Sequence, residues 1–250
     1  MIPKIIHYCW FSGDKKPESI QHCIDSWKRV MPDYEIRCWG PDSFDFDSIP
    51  FVKEAFEARK WAFVADYIRQ YAIYTYGGIY LDSDVEVYKT FDEFLDEKCF
   101  MGTEVTYVKE KIVEISPEIA IFGAEPGMEW QKELLEYYKN RHFLRKTFLD
   151  TWYDLTPAPR IVFHVLEKRG YVRKDEDQLL DDGSKVFSSA IFTNITYPQN
   201  SPYAIHKFAS SWRKEGGNVY ALMKFLKIRK LYPWYVALRE KMFRSDKQNP

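Results

Sequence analysis

No run of about 18 apolar residues, the least that spans a membrane as a helix, occurs in this 250-residue chain, so a transmembrane protein is not expected. Cysteine is sparse. Cys9, Cys23, Cys38 and Cys99 lie apart with no C-x-x-C pair, which argues against a zinc knuckle or a disulfide framework and suits a reducing cytosol. Neither sign of charge dominates, with 36 Lys plus Arg against 37 Asp plus Glu, and nucleic acid is not an expected partner. Internal repeats and low-complexity tracts are missing, as is a glycine-rich phosphate loop ending in lysine. The opening "MIPKIIHYCWFSG" carries Pro3, Lys4 and His7 inside its apolar stretch and has no small-residue cleavage site, so it reads as a first strand, not a secretion signal.

Aromatic side chains are abundant, at 18% of the residues, and some are expected to meet ligand or lipid instead of core. The length fits one α/β domain with a short appendage. "KIIHYCW" (4–10) predicts a buried strand, "PESIQHCIDSWKRVM" (17–31) a helix with Ile20, Ile24 and Trp27 at helical spacing, and "YEIRCW" (34–39) a second strand. Residues 40–50 read as a loop. "WAFVADYIRQYAIYTYGG" (61–78) predicts a long helix with Val64, Ile68 and Tyr71 on one stripe and Gly77-Gly78 as its stop. Strands over 98–104 and 118–126 and helices around 128–142 and 158–169 follow. Such alternation argues for a mostly parallel sheet, whose ligands gather at the carboxyl ends of its strands.

"GGIYLDSDVEV" (77–87) runs an apolar strand directly into Asp82-Ser83-Asp84, two carboxylates that a core cannot hold without a compensating cation. Two similar triplets, Asp45-Phe46-Asp47 and Asp175-Glu176-Asp177, lie in turn-rich or charged loops, where solvation explains them. Only the middle one ends an apolar strand. It is either a strand-end turn bonded to local N–H groups or a pair aimed at one hard cation, Mn²⁺ or Mg²⁺ in preference to zinc because the ligands are oxygens. Asp66 and Arg69, three apart on the preceding helix, share a face. They make either a surface ion pair or a sugar-binding carboxylate beside a guanidinium fork for a hydroxyl or phosphate.

The segment "AFVADYIRQYAIYTYGGIYLDSDVEV" (62–87) resembles the signature of the D-x-D sugar-binding glycosyltransferases, family 32, which are capsular polysaccharide- and mannosyltransferase-like and related to the glucosyltransferase domains of clostridial toxins. "IPKIIHYCWFSG" (2–13) and "AIHKFASSW" (204–212) are similar to that family's opening strand and closing S-x-W segment. The resemblance implies an α/β fold of the GT-A type, a Rossmann-like mixed sheet flanked by helices. It implies a metal-dependent transfer of a hexose, with retention of configuration, from a nucleotide-sugar such as a UDP- or GDP-hexose to a glycan or lipid-linked oligosaccharide acceptor, as in bacterial surface polysaccharide synthesis. Trp10 would stack on the base, Asp66, Arg69 and Tyr80 would serve the donor, Asp82 would meet ribose and metal-bound water, and Asp84 the metal. Ser210 and Trp212 would close the donor site. The family's mid-domain Asn has no assigned counterpart in "ISPEIAIFGAEPG".

His206 is either a structural histidine or a further Mn²⁺ ligand or phosphate donor. Trp10 and Trp212 are either core rings or ligand-facing ones, and Ser211 competes with Ser210 for its role. Residues 1–218 are expected to form the catalytic domain and 219–250 a helical, basic, aromatic tail, in which "KFLKIRKLYPWYVALREKMFR" sets many cations against Glu240 alone. That tail is either a solvated helix face or a contact to an anionic membrane, which would place a cytoplasmic enzyme peripherally on the inner membrane face. A sugar nucleotidyltransferase, a nucleotide-sugar hydrolase and a non-catalytic glycan- or membrane-binding module are the competing functions.

Overall fold

The computed structural model describes residues 1–108, 111–146, 151–194 and 202–207. In chain order the elements are β1 (Ile5–Cys9), α1 (Glu18–Val30), β2 (Glu35–Trp39), α2 (Pro50–Glu57), α3 (Trp61–Tyr76), β3 (Gly78–Leu81), β4 (Val85–Val87), β5 (Cys99–Val108) and β6 (Lys111–Ala124). Then follow α4 (Glu129–Lys139), β7 (Leu144–Lys146), β8 (Thr151–Tyr153), α5 (Ala158–Leu166), β9 (Gln178–Leu179), β10 (Ser184–Val186), β11 (Phe192–Asn194) and β12 (Ala204–His206). Residues 1–144 and 153–210 form one compact unit. Arg145, Lys146, Thr151 and Trp152, in the paired strands β7 and β8, belong to another. The basic tail, Ser210 and Trp212 lie outside the described residues.

Seven strands make the large sheet in the order β2-β1-β3-β6-β5-β10-β9, and β11-β12-β4 make a small one. This is the α/β architecture expected, a mixed sheet flanked by helices. The mostly parallel sheet read from the alternation is corrected. β2/β1, β1/β3 and β10/β5 are parallel, but β3/β6, β5/β6 and β10/β9 are antiparallel. The cause is the long β5–β6 hairpin, whose return strand β6 inserts beside β3. Both strands run beyond the stretches predicted for them, and α2 forms where no helix was predicted, with Pro50 at its start, where a missing N–H costs nothing.

Alternation along the strands sorts side chains to two faces. Ile6, Ile79 and Leu81 pack with Ile20, Ile24 and Trp27 of α1, whereas Tyr80 packs with Val64 and Ile68 of α3 and with buried residues of α2, α4 and α5. The turn from α3 into β3 depends on its glycines. Gly77 and Gly78 have φ of +65° and +104°, and a Cβ on Gly78 would lie 2.5 Å from the Ile5 carbonyl oxygen. Beside this turn His7, fully buried, accepts a hydrogen bond from Trp39 Nε1 (3.1 Å) and donates through Nε2 to the Gly77 oxygen (3.0 Å). Burial lowers its pKa to about 4, with the Gly77 bond opposing, and keeps the ring neutral.

Candidate active site

Asp82-Ser83-Asp84 is the joint at which the chain leaves the large sheet at the end of β3 and enters the small sheet at β4. Asp82 still belongs to the first ladder, its N–H donating to Ala120 O of β6 (2.9 Å), while its carbonyl accepts Val85 N–H (2.9 Å) in a tight turn. That turn breaks strand alternation, so the two carboxylates need not point to opposite faces. β12 closes the other side. Its antiparallel register sets His206 against Val85, and Lys207 N–H donates to Asp84 O (3.1 Å).

One oxygen from Asp82, one from Asp84 and one ring nitrogen of His206 lie within 4.8 Å of one another. His206 Nε2 is 3.4 Å from Asp84 Oδ1, and its Nδ1 is 3.9 Å from Oε2 of Glu118, a β6 carboxylate that is only 2% exposed. Burial opposes protonation of His206, yet the flanking carboxylates of Asp84 and Glu118 outweigh it and hold the imidazole well above its ordinary pKa. Two hard oxygen donors and a borderline nitrogen around one point fit a divalent ion such as Mn²⁺ or Mg²⁺.

Behind this group lies a buried cation. Arg69 places Nη2 3.2 Å from Asp66 Oδ1 and 3.4 Å from Asp82 Oδ1, and sends Nη1 to Ile119 O (2.8 Å) and Nε to Ala65 O (3.2 Å). The guanidinium rests 4.8 Å from the centre of the Tyr80 ring, and Tyr80 Oη donates to Asp82 Oδ1 (2.8 Å). With its side chain 5% exposed, Arg69 makes no surface pair with Asp66. Its fork is turned to protein oxygens, so it holds Asp66 and Asp82 in place. Burial raises the pKa of Asp66 to about 6 against the pull of Arg69, with Asp82 adding to the rise. Burial likewise raises that of Asp82, opposed by Arg69 and His206.

Trp10 follows β1, and the parallel register His7 to Tyr80 brings the ends of β1 and β3 level, so Trp10 and Asp82 share one edge of the sheet. Trp10 is half-buried, donates Nε1 to Asp14 O (2.8 Å) and has the Lys16 ammonium 5.5 Å from its ring centre. Glu118 escaped the reading of the sequence. Its one signal there is a charged residue heading the apolar run "EIAIFGA".

Residues 17–101 match the family described as glycosyltransferase sugar-binding region containing DXD motif, a span that includes Asp66, Arg69, Tyr80, Asp82 and Asp84. The chain is similar to inositol phosphoceramide mannosyltransferase 3 of Schizosaccharomyces pombe, 34% identical over 110 residues, which are 38% of this chain and 27% of that protein. It is also similar to mannosyl phosphorylinositol ceramide synthase CSH1 of Saccharomyces cerevisiae, 29% identical over 148 residues, 56% of this chain and 37% of that protein. The chain thus spans well under half the length of these relatives. Among solved structures it is similar to a glycosyltransferase involved in the glycosylation of the major capsid of PBCV-1, with a TM-score of 0.48 at 14% identity, covering 84% of this chain and 95% of that one.

Proposed function

We propose, for a chain whose residues 17–101 match a glycosyltransferase sugar-binding region containing DXD motif, that the protein is a metal-dependent glycosyltransferase moving a hexose from a nucleoside diphosphate to a glycan or lipid-linked acceptor. The observation that carries this reading is the meeting of Asp82, Asp84 and His206 at the carboxyl end of β3, beside the buried Asp66–Arg69 pair.

Departure of the diphosphate from C1 leaves negative charge on phosphate oxygens and positive charge on the sugar ring. Asp82, Asp84 and His206 would hold Mn²⁺ or Mg²⁺, which when bound supplies positive charge opposite the leaving group. Arg69 keeps Asp82 and Asp66 oriented, and Tyr80 fixes the Asp82 oxygen that it touches. Asp66, whose side chain is 11% exposed, has acceptor capacity for a sugar hydroxyl. Trp10, on the same sheet edge, offers a ring for the base. Transfer with retention requires either a carboxylate nucleophile or same-face attack within an ion pair, and no side chain is assigned as nucleophile.

The acceptor is proposed to belong to surface glycan assembly, and the protein to work at the cytoplasmic membrane face, held by the basic aromatic residues 219–250. No helix among the described residues is long and apolar enough to cross a membrane. Truncation before residue 219 is expected to leave donor hydrolysis intact and to weaken binding to anionic vesicles. Equal vesicle binding by both forms in low salt removes the tail from the proposal.

A screen of UDP- and GDP-hexoses for slow Mn²⁺-dependent donor hydrolysis tests the activity without needing an acceptor. Calorimetric titration with nucleoside diphosphates, with and without Mn²⁺, accompanies it. Absence of both hydrolysis and metal-dependent nucleotide binding overturns the proposal and leaves a non-catalytic binding module.

A further inference from the structure

Beside the candidate site β6 departs from regular pairing. Met101 of β5 pairs with Phe122 and Thr103 with Pro117, so residues 118–121 stand opposite Gly102 alone. Such bulges re-aim side chains and recur next to active sites. Here successive bulge residues each reach a different part of the group. Ile119 O accepts Arg69 Nη1, Ala120 O accepts Asp82 N–H, and the Glu118 side chain turns toward His206. Glu118 Oε1 is held by Ala120 N–H at 2.7 Å, which leaves Oε2 on the Nδ1 side of the imidazole at 3.9 Å, an ion-pair separation longer than a hydrogen bond. A carboxylate this deep in an apolar strand is costly unless a donor or cation meets it.

We infer that Glu118 is a positioning residue for His206. It keeps the proton on Nδ1, so that Nε2, on the Asp84 side of the ring, is the nitrogen that joins Asp82 and Asp84 around a divalent ion. A neutral imidazole has one donor and one acceptor nitrogen, and a carboxylate behind a ligating histidine fixes which is which. The backbone of β12 is already held to β4 through Lys207 N–H and Asp84 O, so the task left to Glu118 is the tautomer and tilt of the ring. This inference rests on the metal-dependent reading above.

The test is Glu118→Gln, read by Mn²⁺ binding and not by turnover. The amide oxygen keeps the Ala120 N–H bond and turns the NH₂ toward Nδ1, which moves the ring proton onto Nε2. Mn²⁺ affinity, followed by electron paramagnetic resonance, is expected to fall about 10–100-fold. The nitrogen coupling of His206 to bound Mn²⁺, seen by pulsed resonance in the wild type, is expected to vanish. A purely structural Glu118 would instead lower the melting temperature and leave both readouts unchanged in the folded fraction. Nitrogen-15 NMR of the Cd²⁺-loaded wild type needs no variant, and an unprotonated His206 Nδ1 there overturns the inference even if Glu118→Gln fails to fold. Wild type that binds no Mn²⁺ removes the metal reading and this inference together. Wild type that binds through His206 beside an equally tight Glu118→Gln removes this inference alone.

Discussion

Asp82-Ser83-Asp84 and Asp175-Glu176-Asp177 are nearly the same as text and opposite as structure. The first sits where β3 hands over to β4, with a buried guanidinium on one side and a histidine on the other. The second is exposed, and its carboxylates serve the backbone. Asp175 accepts Ser189 N–H (2.6 Å) and Oγ (2.7 Å), and Asp177 accepts Ser188 N–H (2.8 Å). Solvation alone, the explanation offered for the second triplet from its sequence, is therefore too weak: those acids tie one loop to another. The difference shows that a D-x-D takes its meaning from the strand before it, which decides whether the acids face water, backbone or each other.

The largest effect that would sharpen this contrast is on activity. Asp82→Asn and Asp84→Asn keep shape and remove a charge, and Mn²⁺-dependent donor hydrolysis is expected to fall by about 10²–10³, the cost of losing one preorganised electrostatic group. Asp175→Asn and Asp177→Asn are expected to leave turnover unchanged and to lower stability by about 0.5–1.5 kcal/mol through weakened loop bonds. Measuring rate and melting temperature on all four checks both halves. Full activity in Asp82→Asn and Asp84→Asn at saturating Mn²⁺ would make the first triplet a turn like the second.

Next in size is a pH effect. Asp66 has a folded pKa of about 6 against an ordinary 3.8, so the folded metal-free protein binds that proton more tightly than the unfolded chain does. Stability from this group is present at low pH and is lost as the pH rises from about 4 through 6, by about 3 kcal/mol in all. His7 has the opposite sign. Lowered to about 4 from 6.5, it contributes stability above pH 6.5 that is lost as the pH falls to 4. The whole protein shows these superposed on the contributions of Asp82, Glu86 and His206, and Asp66→Asn removes the first of them. Urea denaturation in EDTA at pH 4 and pH 7 should find the variant gaining on the wild type at the higher pH. A gap that does not change with pH would mean that Asp66 is not held as a strained carboxylate.

What was legible in the sequence follows from the range of the interactions involved. The helix α3, its glycine stop and the acids after β3 are local, carried by spacing and by a backbone that only glycine permits, and Asp66, Arg69, Tyr80 and Asp82 do meet, with Asp84 near Asp82 on its other side. The mixed sheet was not legible from alternation, because β6 reaches β3 across a hairpin, and periodicity within a strand does not say which neighbour it will have. Glu118 was missed for the same reason. Its partner lies far along the chain at position 206, and the bulge that aims it exists only once β5 and β6 have paired.

Trp10 extends the comparison along the edge of the sheet. If the end of β1 serves the same ligand as the end of β3, Trp10→Ala weakens nucleoside diphosphate binding by about 1–3 kcal/mol, the scale of base-on-ring stacking. Its Nε1–H already has the Asp14 carbonyl, so the loss would come from the ring face and not from a freed donor. Calorimetric titration of the folded variant measures it, and unchanged binding would return Trp10 to the α1-side core on which it packs.

The smallest effect belongs to the remaining triplet, Asp45-Phe46-Asp47. Asp45 accepts Asp47 N–H (3.2 Å) at the start of a single 3₁₀ turn, and Asp47 meets Lys53 at 2.9 Å on the surface, with its side chain 77% exposed. The exposed pair is screened by water, and holding a long lysine in one pose offsets much of the attraction. Asp47→Asn is therefore expected to change stability by less than about 0.5 kcal/mol. Asp45→Asn keeps an oxygen that can still accept the Asp47 N–H, so the turn loses only the charge on that bond. Neither should alter donor hydrolysis or Mn²⁺ affinity, because neither acid ends a buried strand or faces a second carboxylate across a histidine. A tenfold loss of activity in either variant, with the melting temperature unchanged, would show that an exposed D-x-D in this chain also meets the donor, and the strand before the triplet would no longer explain which acids matter.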